Sequence, residues 1–199
     1  MPFAYYARLS RRDKAVYDRS DRVTSIVLPV PEPIRPMVDV LRQGLAADDR
    51  RVVQTAAQAL ARAITVSLRV ETVDVGVLAV RPRLRGAAEL HGLYTRDDGR
   101  PPRIRVWMRT VAYKRVVAFR TFLRTLLHEV CHHLDYTYLR LPDSFHTQGF
   151  FQRESSLFYQ LVPRETPPSG RGTGPSHVRT DDGPPMSSSS PPKRRPPGT

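Results

Sequence analysis

Cysteine is nearly missing from this chain. Cys131 stands alone in 199 residues, so no intrachain disulfide can form and packing must hold the fold together. Lysine is scarce too, at positions 14, 114 and 193 only, which leaves arginine to carry almost all of the positive charge. No stretch approaches the ~20 apolar residues of a membrane-spanning helix, and no membrane association is expected. Met1-Pro2-Phe3-Ala4-Tyr5-Tyr6 runs straight into charged residues without an apolar signal core. Together these absences predict a soluble, cytoplasmic protein. Aromatic residues are absent from position 163 onward, where Pro, Ser, Gly and Thr dominate. Such a segment buries too little apolar surface to offset its ordering entropy, so 163–199 is expected to be a disordered tail, and Lys193-Arg194-Arg195 within it is too short to assign.

What remains, 1–162, has the size of one ordinary domain. The formal net charge is +13, most of it in the body, because the tail holds six Lys/Arg against three Asp/Glu. Such a field attracts anionic partners, nucleic acid above all. The same Arg-rich, Ala-rich and Pro-rich bias is also what a GC-rich coding sequence produces.

The pattern along the chain predicts an α+β fold. Residues 1–69 read as a mostly helical scaffold segment: a charged helix over 3–20, a short strand at Val23–Leu28, a proline-rich break, then helices over 36–46 and 48–67, the latter capped by Asp48 or Asp49. Residues 70–162 read as the core. Glu71–Val80 is Val-rich and predicts a strand. Leu90–Tyr94 and the alternating Ile104, Val106 and Met108 flank the turn 97–102, which predicts a hairpin with one buried face and one exposed basic face of Arg103, Arg105, Trp107 and Arg109. A long helix over 115–139, ended by Pro142, and a last helix over 146–161 complete the reading.

The long helix carries His128-Glu129-Val130-Cys131-His132. At 3.6 residues per turn, positions i and i+4 lie about 40° apart on one face, so two imidazoles can face a single ion. Zn²⁺ suits two imidazoles and a third protein ligand, with water in the open position. The ion draws that water's pKa towards ~7, and Glu129, beside the ion, can take its proton as general base. Leu123, Leu126, Leu127, Val130 and Leu134 fall on the opposite face, so the helix has an apolar side for packing and a polar side for chemistry. Asp135 returns to the ligand face, either to orient an imidazole or as a simple solvated carboxylate. Tyr136 projects near Glu129, either as a donor to a developing oxyanion or as an exposed aromatic. His133 falls between the faces, and Cys131 lies towards the core as a small buried residue.

The third ligand has two candidates, His146 and Glu154. His146 follows the Pro142 turn. Glu154 shares the Phe150 side of the last helix, where a carboxylate needs a partner or a metal. If His146 is the ligand, Glu154 is left to steady it or to pair with an Arg. Asp135 and Tyr138 stand where a metzincin would have its Gly and third His.

The segments Thr125-Leu126-Leu127-His128-Glu129-Val130-Cys131-His132 and His146-Thr147-Gln148-Gly149-Phe150 resemble the SprT-like zincin metallopeptidases, a group that includes the Spartan-type DNA–protein crosslink proteases. Thr147 stands where that family usually has Gly. The hairpin around Gly92-Leu93-Tyr94 and Ile104-Arg105-Val106 is similar to the edge strand preceding the active-site helix in such zincins. The resemblance spans about residues 90–161. It implies a zinc peptidase with a small twisted sheet, acting on a protein or peptide substrate held by strand addition. The expected function is therefore zinc-dependent peptide hydrolysis. A DNA-associated SprT-like protease, a non-catalytic zinc-binding module and a hydrolase of some other amide are the alternatives.

Overall fold

The computed structural model describes residues 2–80, 92–97, 99–110 and 112–163. The tail 164–199, the start of the predicted hairpin at Leu90-His91, and Asp98 in its turn lie outside the described residues. The described residues belong to one compact unit, 1–164. The described residues form five α-helices and a three-stranded mixed sheet. None of these helices is long and apolar enough to cross a membrane.

The predicted charged helix is broken in two. A short 3-10 turn, Ala4–Arg8, precedes α1, Arg11–Arg22, because Ser10 caps the latter by accepting from the Asp13 N–H. Helix α2, Arg35–Ala46, starts with a proline in its first turn. Helix α3, Arg50–Ser67, is capped by Asp49, whose side chain accepts from the N–H groups of Arg51 and Val52. Its buried stripe of Val53, Ala56, Ala57, Leu60, Ala61 and Ile64 is largely small, which lets α2 approach closely. Strands β1 (Asp74–Val80), β2 (Gly92–Thr95) and β3 (Arg103–Arg109) are ordered β1-β3-β2, with β1 parallel and β2 antiparallel to the central β3. Helix α4, Phe119–Thr137, lies against the sheet, and α5, Gln148–Leu161, packs on α4 and α1. One hydrophobic core joins residues from 26 to 161, so α2 and α3 share it with the sheet, α4 and α5.

Two local expectations need correction. Val23–Leu28 is not a strand. Ile26 and Leu28 are buried, but their backbone bonds go to a side chain of α5: the Leu28 N–H donates to Gln160 Oε1 at 2.8 Å, and Gln160 Nε2 donates to the Ile26 carbonyl at 2.8 Å. Alternating burial there reflects packing on a helix, without strand pairing. The outer face of β3 is also less uniform than predicted. Arg103 and Arg105 are exposed, but Trp107 is 5% exposed.

The two sheet edges are treated differently. Strand β1 is an edge, and its outward backbone groups are taken by glutamines one turn apart on α3. Gln54 donates to the Val75 carbonyl and accepts from the Val77 N–H, both at 2.6 Å. Gln58 donates to the Val73 carbonyl at 3.1 Å and accepts from the Val75 N–H at 2.7 Å. This seals β1 against further strands. Among the described residues no strand pairs with the outer edge of β2. Replacing Gln54 by Ala strands two partly buried backbone groups, and we expect a loss of about 1–3 kcal/mol in urea unfolding. An unchanged midpoint in that titration would contradict the sealing role.

Candidate metal centre

His128 and His132 sit one turn apart on α4, their ring centroids 5.0 Å apart. His146 arrives from the chain between α4 and α5. That segment is anchored at both ends. Helix α4 closes with the N–H groups of Tyr138 and Leu139 both donating to the Leu134 carbonyl at 2.9 Å, and Arg140 then takes a φ of 54°. Buried Leu141 donates its N–H to the Asp135 carbonyl at 2.8 Å. At the far end Thr147 caps α5 by accepting from the Phe150 N–H at 2.9 Å. This cap gives Thr147 a local reason to stand where the resembled family has Gly, and it leaves His146 just outside the helix, which starts at Gln148 and not at 146. Two residues on, a Cβ at Gly149 would overlap the Asp21 backbone. The glycine lets α5 touch the end of α1, where its N–H donates to Asp21 Oδ1 at 2.9 Å.

The three rings converge. His146 Nε2 lies 2.9 Å from His128 Nε2 and 3.0 Å from His132 Nε2, and the three possible ligand atoms all fall within 4.8 Å of one another. Fully buried Phe150 lies against all three rings, with centroids 4.7–5.2 Å away. The far nitrogens of two rings are already engaged. His128 Nδ1 meets Glu154 Oε2 at 3.2 Å, and His132 Nδ1 meets Ser144 Oγ at 2.8 Å. Ser144 donates its own proton to Asp135 Oδ2 at 2.8 Å, so it accepts from His132. Acceptors on the Nδ1 side place the protons there and leave the Nε2 lone pairs facing each other. Burial, then the neighbouring rings of His128 and His146, push the His132 pKa down to about 3; burial also lowers that of His146. Three imidazole nitrogens converging on one point offer a donor set that fits a metal ion.

Glu154 is therefore not in the ligand trio. Helix α5 places it behind His128, where it also pairs with Arg124 at 3.1 Å. Asp135 is fully buried and reaches His132 only through Ser144, while its other oxygen accepts from Arg153 Nη2 at 2.8 Å. The Tyr136 hydroxyl is committed to Asp143 at 3.1 Å, and its ring stacks on Tyr94 beside the cleft. His133 is fully buried and structural: Nε2 meets the Glu71 carbonyl at 2.7 Å, and Nδ1 meets the Tyr94 hydroxyl at 3.2 Å. Cys131 is fully buried in the core.

Glu129 lies on the cleft side of α4, against β2. A Cβ at Gly92 would overlap its carboxylate, so this glycine makes the close approach possible. Burial raises the Glu129 pKa to about 7, against the opposing pull of His128 and of the Tyr94 backbone N–H. The cleft has a volume of about 800 Å³ and is lined by β2, one face of α4, Ser144, His146 and Glu154. Gly92 and Tyr94 were read only as part of the edge strand, and Ser144, Arg153 and Tyr5, whose hydroxyl donates to the His146 carbonyl at 2.7 Å, had no role assigned by sequence reasoning. The glycine directly before Leu93-Tyr94 was the one available signal.

No protein-family model matches the chain, and no curated protein or solved structure matches it at a significant level.

Alanine at His128, His132 or His146 should each abolish stoichiometric metal binding, measured by elemental analysis of purified protein. Alanine at Ser144 should keep the stoichiometry and weaken affinity about 10–100-fold in chelator competition. Full metal retention in all three histidine variants would dismantle the site.

Proposed function

We propose that this chain is a zinc-dependent metallopeptidase of zincin-like build, with His128, His132 and His146 as metal ligands and Glu129 as general base. The observation that carries the reading is the placement of the Glu129 carboxylate beside three converging imidazoles in one open cleft, under a sheet edge with no strand on its outer side among the described residues. The resemblance of residues 125–132 and 146–150 to the SprT-like zincins supports the same assignment. When bound, zinc supplies Lewis-acid polarisation of a carbonyl and acidification of a coordinated water.

The chain's own groups do the rest. The three imidazoles would hold the ion between them, and their opening onto the cleft would leave it accessible to solvent or substrate, as catalytic sites require. Glu154 and the Ser144–Asp135 pair hold two of the rings in the tautomer that offers Nε2. Strand β2 offers the edge that no described strand covers to an extended peptide, which places the peptide along the cleft wall. Glu129 takes a proton from the attacking water and returns it to the leaving amine. Gly92 keeps the carboxylate and the peptide-binding edge adjacent.

Glu129→Gln keeps the shape of the side chain and removes the base. We expect zinc content to be unchanged and cleavage of an unstructured protein substrate to fall by about 10²–10⁴-fold. Cleavage by Glu129→Gln at the wild-type rate would defeat the mechanism. A zinc-loaded wild-type protein that hydrolyses no peptide would favour a binding module instead.

A further inference from the structure

We propose that the cleft carries a carboxylate-binding subsite, built by Arg120 and Arg124, that receives an acidic side chain of the substrate; this rests on reading the chain as a peptidase. Helix α4 presents Arg120, Arg124, His128 and His132 at successive i, i+4 positions, which share one face. All four line the cleft, with Thr121 and Thr125 beside them. Each step of four residues rises about 6 Å along the helix. An extended peptide advances about 3.3 Å per residue. The guanidinium groups therefore stand within a few substrate residues of the bond held at the histidines.

Both arginines are held at the cleft wall by one aromatic ring. The Arg124 guanidinium lies 4.3 Å from the centroid of Phe158, and that of Arg120 lies 5.1 Å from the same ring. Phe158 is fully buried on α5, so the ring is fixed. The charges at this end do not balance. Glu154 is shared between Arg124, at 3.1 Å, and His128 Nδ1, at 3.2 Å. Arg120 has no ion pair among the described residues. The other acid lining the cleft, Glu129, is committed to the contact with Gly92 and the Tyr94 N–H. One carboxylate thus serves Arg124 and an imidazole and leaves Arg120 without an acid among the described residues, and a second carboxylate completes the set. The planar fork of arginine suits that group, which it can bind through two parallel N–H donors. The carboxylate has two conceivable sources, an Asp or Glu side chain and the terminal carboxylate of a peptide. The proposal commits to the side chain.

The test measures binding by the zinc-loaded Glu129→Gln protein. Short fluorescein-labelled peptides carry Glu, Gln or Lys at one position at a time, each made with a free and with an amidated C-terminus, and fluorescence anisotropy gives the affinities. At one position Glu should bind about ten-fold more tightly than Gln, with Lys weakest, in both terminal forms. Adding Arg120→Glu should abolish or reverse that order while zinc content stays constant. Affinity indifferent to charge at every position, no binding at all, or a preference that survives Arg120→Glu would overturn the subsite. A preference confined to peptides with a free C-terminus would overturn the side-chain assignment. Charge-selective binding of peptides that wild-type protein does not cleave would remove the peptidase reading and leave the subsite standing; cleavage without charge selectivity would do the reverse.

Discussion

A guanidinium cannot shed its charge at any ordinary pH, so a buried one is tolerated only where acceptors surround it. Arg153 is fully buried, and its two terminal nitrogens find four acceptors. Nη1 donates to the carbonyls of Ser20 and Val23 at the end of α1, and Nη2 donates to Ser20 Oγ and to Asp135 on α4. The last carbonyls of a helix lack intrahelical partners, so the end of α1 and the guanidinium satisfy one another. From Asp135 the chain of bonds continues through Ser144 to His132. One side chain of α5 thereby ties the first and fourth helices to one of the three converging histidines. The N-terminal residues add two more ties to the same region, Tyr5 to the His146 carbonyl and Asp21 to the Gly149 N–H. Residues with no chemistry of their own hold the ring geometry on which the proposed chemistry depends.

The sheet imposes a second constraint. A three-stranded sheet has two edges, each a row of backbone groups that need partners. Gln54 and Gln58 close one edge from α3, and a strand joining that side would have to displace them. The other edge, β2, faces the cleft together with the His128–His132 face of α4. Among the described residues the closed edge lies away from the cleft, and the edge without a partner strand lies on the side of Glu129 and the histidines. His133 and Tyr94 stabilise this juxtaposition by linking β2, α4 and the Glu71 carbonyl through one buried imidazole.

How much of this the sequence carried depended on the range of each interaction. His128, Glu129 and His132 were legible because helical spacing is local and the opposite face of α4 is apolar. His146 was legible only as one of two candidates. The choice between it and Glu154 turns on where α5 docks, since the same carboxylate that would ligate from one position hydrogen-bonds Nδ1 from another. Asp135 was placed on the correct face, but its route to His132 through Ser144 requires the loop to fold back, and no spacing rule encodes that. Arg153 read as one more charged residue in an Arg-rich chain; its partners at the end of α1 lie about 130 positions away. The alternation at Val23–Leu28 misled because it reports which side chains are buried and is silent about what pairs with the backbone. The β2–β3 hairpin followed from turn residues and alternation, whereas the parallel pairing of β1 with β3 joins segments far apart in sequence and had no local signal.

Whether a zinc ion at this site would be structural or catalytic turns on the surroundings of Glu129. A structural zinc is closed by four protein ligands and needs no neighbouring base. Among the described residues the donor set stops at three, with exposed His146 on an open cleft. Glu129 is 5% exposed, and burying a carboxylate away from an ion pair carries a desolvation penalty that a leucine at the same place would avoid. Gly92 removes the one side chain on β2 that would exclude it, so both the strand and the helix accommodate an otherwise unfavourable group. Two such concessions at adjacent positions fit a carboxylate retained for proton transfer, and a purely structural role for the site explains neither.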